Sequence, residues 1–219
     1  MKPSVKSEAP GDTGPRKEGT LSVPAILAAA KRLFLEAGYD RTSMDAIARD
    51  AGLARQTVYN CFQNKEAVFQ AVIEEHWGRF TAGHVFDDSR SDPAIILHEV
   101  ANGILGFAEA TGRIEFARLV IAEARSRPWI AADFHRHGKA PLFDAFVDYL
   151  HRATSDKTLD CKNPTLAAYQ FLGMIQEPLI WPKVMGTNAP GNIKADDAIN
   201  EAVRVFLAAY SPKPLRRPR

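Results

Sequence analysis

Apolar positions recur at three- and four-residue intervals along most of the chain. From Ile26 through Ala30, Leu33, Phe34 and Ala37 they mark one helix face, with Ser22 as its N-cap and Gly38 as its end. Thr42 and Asp45 have capping-box spacing, which starts a second helix over about Ser43–Ala51. Gly52 can take a positive φ and turn the chain sharply. Val58 and Phe62 then fall four apart on a third helix over about Arg55–Cys61, with Leu53 closing the same small core. Asn64 caps a longer fourth helix from Lys65, with Val68, Phe69, Val72, Ile73, Trp77 and Phe80 at helical spacing.

Residues 81–91 are polar and aperiodic and form a connector. Beyond them, Asp92-Pro93 and Asn163-Pro164 each set a capping side chain before a proline, the combination that opens helices. One stripe runs through Ile96, Val100, Ile104 and Phe107, and another through Phe116, Leu119, Val120 and Ala124 after Gly112. Trp129–His137 is helical in pattern and Gly138 punctuates it. Pro141 opens a helix carrying Leu142, Phe143, Phe146, Val147 and Leu150. The helix from Thr165 is apolar nearly all round; Pro178 should kink it, and Pro182 and Gly186 should end it. A last stripe spans Ala195–Tyr210. No segment alternates as a strand does, so the predicted fold class is all-α.

The third helix has a second face. Gln56, Tyr59 and Asn60 lie on it, with Arg55 and Thr57 at its edges and no acid among them. A donor-rich front with an apolar back suits a helix lying in the major groove of double-stranded DNA. Arg55 has the fork for guanine O6 and N7, or else it pairs with a phosphate or a surface acid. Gln56 or Asn60 can pair with adenine, and Tyr59 either bonds a phosphate or packs. Thr42, Ser43 and Lys65 sit at helix starts, where free N–H groups and the helix dipole favour phosphate or plain capping.

With 219 residues the chain can hold one large or two small domains. We divide it into a disordered tail (1–20), a helix-turn-helix domain (21–80), a larger helical domain (81–210) and a basic tail (211–219) that includes Lys213, Arg216, Arg217 and Arg219. Net charge is only +2, so total charge does not announce a nucleic-acid binder. Arg55 to Lys65 is free of acids, which makes the electrostatic case local. No apolar run reaches the ~18 residues of a membrane span. The first residues lack a secretion signal's apolar core, so a cytoplasmic location is expected. Cys61 and Cys161 make neither a disulfide framework nor a metal site. His135 and His137 point to different faces of a helix, which disfavours a metal pair. Neither a glycine-rich phosphate loop nor a nucleophile elbow is present, so no catalytic residue, metal or cofactor is assigned.

The run Gly38-Tyr39-Asp40-Arg41-Thr42-Ser43-Met44-Asp45-Ala46-Ile47-Ala48, then Ala51-Gly52-Leu53, Thr57-Val58-Tyr59, Phe62 and Lys65-Glu66-Ala67-Val68-Phe69, resembles the TetR/AcrR family of bacterial transcriptional regulators. Arg118-Leu119-Val120-Ile121-Ala122-Glu123-Ala124-Arg125, Pro128, Phe134 and Leu166-Ala167-Ala168-Tyr169-Gln170-Phe171-Leu172-Gly173 are similar to its AefR-like ligand-binding group. The resemblance implies a three-helix DNA-binding domain followed by a domain that dimerises and holds a small apolar or amphipathic ligand. It implies a repressor that binds a palindromic operator as a homodimer and is released by that ligand.

Within this picture Phe107, Phe116, Leu119, Phe134, Phe143, Phe146, Phe171, Met174 and Trp181 are candidates to line the pocket, with Glu123 and Gln176 as polar partners; ordinary core is the alternative for each. The dimer surface is expected on the last two helices, through Ala168, Leu172, Ile175, Ile199, Val203, Phe206 and Tyr210, again with core as the alternative. Two positions leave the family pattern. Cys61 stands where a His or Tyr commonly grips phosphate, and Ala54 stands where a Ser commonly caps the reading helix. A helical interaction module without DNA binding, or an all-α enzyme, are the competing readings.

Overall fold

The computed structural model describes residues 16–77, 86, 92–110, 112–187 and 190–212. Its helices are α1 (Arg16–Arg41), α2 (Met44–Asp50), α3 (Arg55–Cys61), α4 (Lys65–Trp77), α5 (Pro93–Glu109), α6 (Arg113–Ala124), α7 (Pro128–Phe134), α8 (Ala140–Ser155), α9 (Pro164–Leu179), α10 (Trp181–Met185) and α11 (Ala195–Tyr210). No strand occurs among the described residues. The expected Phe80 position and the connector at 81–85 and 87–91 lie outside them, as do residues 1–15 and 213–219 of the two tails. The chain falls into two compact units, 1–69 and 70–219.

In the first unit, α1, α2 and α3 pack on one another. Ile26, Ala30, Phe34, Ile47, Val58, Val68 and Phe69 are buried. Phe34, Tyr39 and Phe69 make an aromatic cluster, with Phe34 edge-on to Phe69 at 4.8 Å between centroids and Tyr39 edge-on to Phe69 at 5.3 Å. Gly38 (φ 79) breaks α1 near its end, as its missing Cβ allows.

Two expectations at helix starts need correction. Ser22 does not cap α1; it is buried inside a helix that begins at Arg16, so residues 16–20 are helical rather than disordered. Once the downstream stripe nucleates the helix, propagation through flanking residues is cheap, and Pro24 removes only one bond. The cap of α2 is Ser43, whose Oγ accepts from the Ala46 N–H at 3.1 Å. Thr42 is instead buried and its hydroxyl donates to the Gly38 carbonyl at 2.9 Å, because the last carbonyls of α1 lack helical partners.

The second unit is a bundle in which α11 packs on α5 and α9, and α8 on α9, around Leu97, Phe146, Tyr149, Leu150, Phe171, Ile175 and Phe206. Helix α6 packs against α5, α7 and α10. Asp92 and Asn163 cap α5 and α9 through their side-chain oxygens, with Pro93 and Pro164 in the first turns. Helix α9 ends just after Pro178, and Gly186 (φ 72) ends α10.

Gly138 does not end a helix. Instead α7 passes through a one-turn π-helix, His135–Lys139, directly into α8. The wider π turn absorbs an extra residue without breaking the chain of backbone bonds, a geometry that frequently marks functional sites.

The expected dimer residues are a further correction. Ala168, Leu172, Ile175, Ile199, Val203 and Phe206 are buried within their own subunit, and half-buried Tyr210 donates its hydroxyl to Gln170. A stripe on α9 and a stripe on α11 meet each other, and periodicity alone does not tell that pairing from one between subunits.

Candidate nucleic-acid interface and ligand cavity

The turn between α2 and α3 is fixed by backbone bonds. Gly52 sits at φ 67, its N–H reaches the Arg49 carbonyl at 3.2 Å, and the Leu53 N–H reaches the Ala48 carbonyl at 2.9 Å. Val58 turns fully inward. That fixes the opposite face of α3, where Arg55, Gln56, Tyr59 and Asn60 are exposed, Thr57 is half-buried and no acid intervenes.

These outward side chains hold one another. Gln56 Nε2 donates to Asn60 Oδ1 at 2.9 Å, one helical turn along. Arg55 Nε pairs with Asp45 Oδ1 of α2 at 2.9 Å, and its guanidinium lies 5.3 Å from the centre of the Tyr59 ring. The Arg55–Asp45 pair is exposed and worth only ~0.2–1 kcal/mol, so guanine edges or phosphate can displace it. Ser43 is exposed beside this face. Ala54 heads α3 with no side-chain cap, and Cys61 is half-buried.

Two candidates do not join the outward set. Thr42 is buried as described. Lys65 places its ammonium on the Tyr39 carbonyl at 2.7 Å and the Asp40 carbonyl at 3.3 Å, 4.3 Å from the Tyr39 ring centre. The C-terminal carbonyls of α1, at the negative end of its dipole, attract the cation that the start of α4 was expected to offer to phosphate.

In the second unit, residues of α4–α10 and of the π turn enclose a cavity of about 390 Å³. Of the expected lining, the structure brings together Phe107, Phe134, Phe143, Gln176 and Trp181. The others lie elsewhere. Phe116 is fully buried behind the wall, its ring 4.7 Å from His76 and 5.1 Å from Trp77. Phe146 and Phe171 face each other at 5.6 Å in the bundle core. Glu123 pairs with Arg127 one turn on, half-buried Leu119 does not line the cavity, and Met174 lines a separate groove between α9 and α11. Bulk and spacing cannot tell a wall from the layer behind it.

Sequence reasoning missed Trp77, Arg113, His135, Lys139 and Tyr169 in this wall. Arg113 carried a usable signal, being a cation next to Gly112 at a helix start. The π turn carried none, because its spacing belongs to no regular helix. Gly138 fits closely there: a Cβ would lie 3.1 Å from the Trp77 ring and 3.2 Å from Phe134, so either ring would have to shift by a few tenths of an ångström. Gly173 faces the same cavity with nothing within 4 Å of a Cβ.

A two-helix turn with an exposed polar front, followed by a helical unit with a cavity, is the arrangement of helix-turn-helix transcriptional regulators. The comparisons agree. Residues 26–72 match the model of the bacterial regulatory proteins of the tetR family, and residues 96–212 match the AefR-like transcriptional repressor C-terminal domain. The chain belongs to the TetR family, with an AefR-like C-terminal domain.

Among curated relatives, the HTH-type transcriptional repressor ComR of Escherichia coli is 38% identical over 60 residues, 27% of this chain and 29% of ComR. The regulator EthR of Mycolicibacterium smegmatis is 34% identical over 103 residues, 47% of this chain and 46% of EthR. The matched stretches thus span less than half of these relatives. Among solved structures, the flavonoid-responsive regulator FrrA has a TM-score of 0.76 at 26% identity, over 89% of this chain and all of that one. No helix among the described residues is long and apolar enough to cross a membrane.

Proposed function

We propose that this regulator is a repressor that binds a palindromic DNA operator as a homodimer in the cytoplasm and lets go when a small molecule fills the cavity. The observation that carries this reading is the outward face of α3. Arg55, Gln56, Tyr59 and Asn60 stand exposed on a helix with no acid of its own, held only by exchangeable bonds, Arg55's to Asp45 among them, above a back anchored by Val58. One such helix spans too few base pairs for a genome, and a two-fold dimer doubles the site. Domain roles follow the same division, with DNA binding in 21–80 and ligand and dimer functions in 81–210. Within the interface, Arg55, Gln56 and Asn60 read base edges, while Ser43, Thr57 and Tyr59 position the backbone.

The dimer surface we favour is the outer side of α9 and α11, not their buried stripes. Met174, Pro178, Ile193, Ala198 and Val205 line a groove of about 460 Å³ there, with Asp197 and Glu201 among its polar residues. The ligand is small and apolar or amphipathic, since apolar side chains, six of them aromatic, make up most of the cavity wall. FrrA, described as flavonoid-responsive, supports a flat aromatic ligand. Release would act through α4, a single helix that begins at Lys65 and ends at Trp77 in the cavity wall. Ligand contact with Trp77 would bias two positions of that helix.

A gel-shift titration of the full-length protein on the DNA upstream of its own gene tests this. We expect two subunits per site, with affinity falling steeply as salt rises. No specific shift on that DNA or on DNA selected from a random pool would leave an interaction module without DNA binding.

A further inference from the structure

Helix α9 and its C-cap turn one stripe into the cavity: Tyr169, Leu172, Gly173, Gln176 and Ile180, three or four residues apart. Leu172 and Gly173 lie one turn before Gln176, and Ile180 one turn after it. A half-buried amide thus stands among apolar neighbours. Gly173 would meet nothing within 4 Å of a Cβ, so open space lies one turn from that amide.

The same helix carries a second glutamine with a different fate. Gln170 accepts the hydroxyl of Tyr210. The Gln176 side chain has no hydrogen bond among the described residues. Other polar side chains of the wall are placed differently: Arg113 is stacked on Phe107, 4.1 Å from the ring centre, and His135, Lys139 and Tyr169 are exposed. The rest of the wall offers ring surface. Trp77 and Phe134 meet edge-to-face at 4.8 Å, and Phe143 lies 4.5 Å from Tyr169.

An amide carries both an acceptor oxygen and donor hydrogens. A wholly apolar guest strips water from it and leaves it unpaired, whereas a guest with a matching group replaces that water. We propose that Gln176 selects the effector: a flat aromatic molecule bearing a hydroxyl or carbonyl, with that group on the Gln176 amide beside Gly173 and the rings against Trp77, Phe134 and Phe143. This inference rests on the ligand-responsive reading above and specifies its chemistry. A hydroxyl donates to Oε1 of Gln176, and a carbonyl accepts from its Nε2.

The test uses the full-length protein and two probes of matched shape, trans-4-hydroxystilbene and trans-4-methylstilbene. Quenching of tryptophan fluorescence reports binding, because Trp77 and Trp181 line the cavity. The hydroxyl probe should bind roughly tenfold tighter than the methyl probe. Gln176→Met keeps the length of the side chain and removes its polar atoms. It should abolish or reverse that preference without lowering the melting temperature, since the amide holds no partner in the protein. Gly173→Leu, which projects into open cavity space, should abolish quenching by both probes. Equal binding of the two probes, a hydroxyl preference that survives Gln176→Met, or a Gln176→Met protein that is destabilised or fails to fold overturns the assignment of Gln176 while leaving an aromatic ligand cavity in place. Quenching that survives Gly173→Leu, or no quenching by either probe, overturns the cavity reading and the Gln176 assignment together.

Discussion

Helix α3 and the cavity of the second unit are the two surfaces we propose for binding, and they are prepared in opposite ways. The α3 face is convex and polar, and its groups are satisfied by neighbours they can exchange: Gln56 with Asn60, Arg55 with Asp45. The cavity is concave, its rings are locked against one another, and its Arg113 is stacked on Phe107. A surface that must fit a groove already lined with water and counterions keeps labile partners of its own. A surface that must recognise a small guest removes water in advance and fixes its charges. Substitutions should therefore act on binding without stability at α3, and on both together at the cavity wall.

The largest expected effect separates the units. Phe34→Ala empties the Phe34–Tyr39–Phe69 cluster and should cost ~3–5 kcal/mol. Operator binding should vanish while tryptophan quenching by a cavity ligand persists. Loss of both would mean that the units do not unfold separately.

Arg55→Ala comes next. It should relax preference at one base position by ~1–3 kcal/mol and barely move the melting temperature, since the Asp45 pair it loses is exposed. Equal loss on every sequence would assign Arg55 to phosphate. Lys65→Ala should instead lower the stability of the first unit, because its ammonium closes the end of α1.

Gly138 and Gly173 sharpen the contrast inside the cavity wall. Gly138→Ala crowds Trp77 and Phe134 and should destabilise by ~1–3 kcal/mol, weakening ligand binding as well. Gly173→Ala meets nothing and sits inside α9, so it should stabilise by ~0.5–1 kcal/mol. Thermal melts and quenching titrations of the pair check both signs.

Ala54→Ser supplies the cap that α3 lacks and should add ~1 kcal/mol of local stability, read by hydrogen exchange at Thr57 and Val58.

The smallest effect is a control in the bundle core, away from both surfaces. Tyr149 is fully buried, its hydroxyl has no hydrogen-bond partner among the described residues, and burial pushes its pKa up to about 12, aided by the nearby negative charges of Asp92 and Cys161. Its contribution is complete below pH 10, where folded and unfolded chains are both protonated. It drains away as pH rises toward 12, because the unfolded chain ionises first. Tyr149→Phe should flatten that alkaline loss and change stability at neutral pH by no more than ~1 kcal/mol.

The two surfaces also differ in how far the sequence discloses them. The reading face comes from consecutive residues, so a single helical period places Val58 inward and Gln56, Tyr59 and Asn60 outward. The bounds of α3 and α11, the Asp92 and Asn163 caps and the uncapped Ala54 are local in the same sense. What local pattern missed was competition over distance: Lys65 drawn to the carbonyls of α1, and Thr42 closing Gly38. The cavity joins residues from seven helices and a π turn, and its wall and the layer behind it share one composition. Phe107 and Phe134 could therefore not be told from Phe116 and Phe146, nor a core stripe on α11 from a dimer face.

Selection of DNA from a random pool, with the wild-type protein and with Arg55→Ala side by side, tests the central assignment most directly. Wild type should enrich an inverted repeat with half-sites one or more helical turns apart, and Arg55→Ala should enrich the same repeat with one symmetric base position degenerate. Enrichment of no motif, or of one identical motif by both proteins, would contradict the assignment of α3 as the reading helix with Arg55 at a base edge.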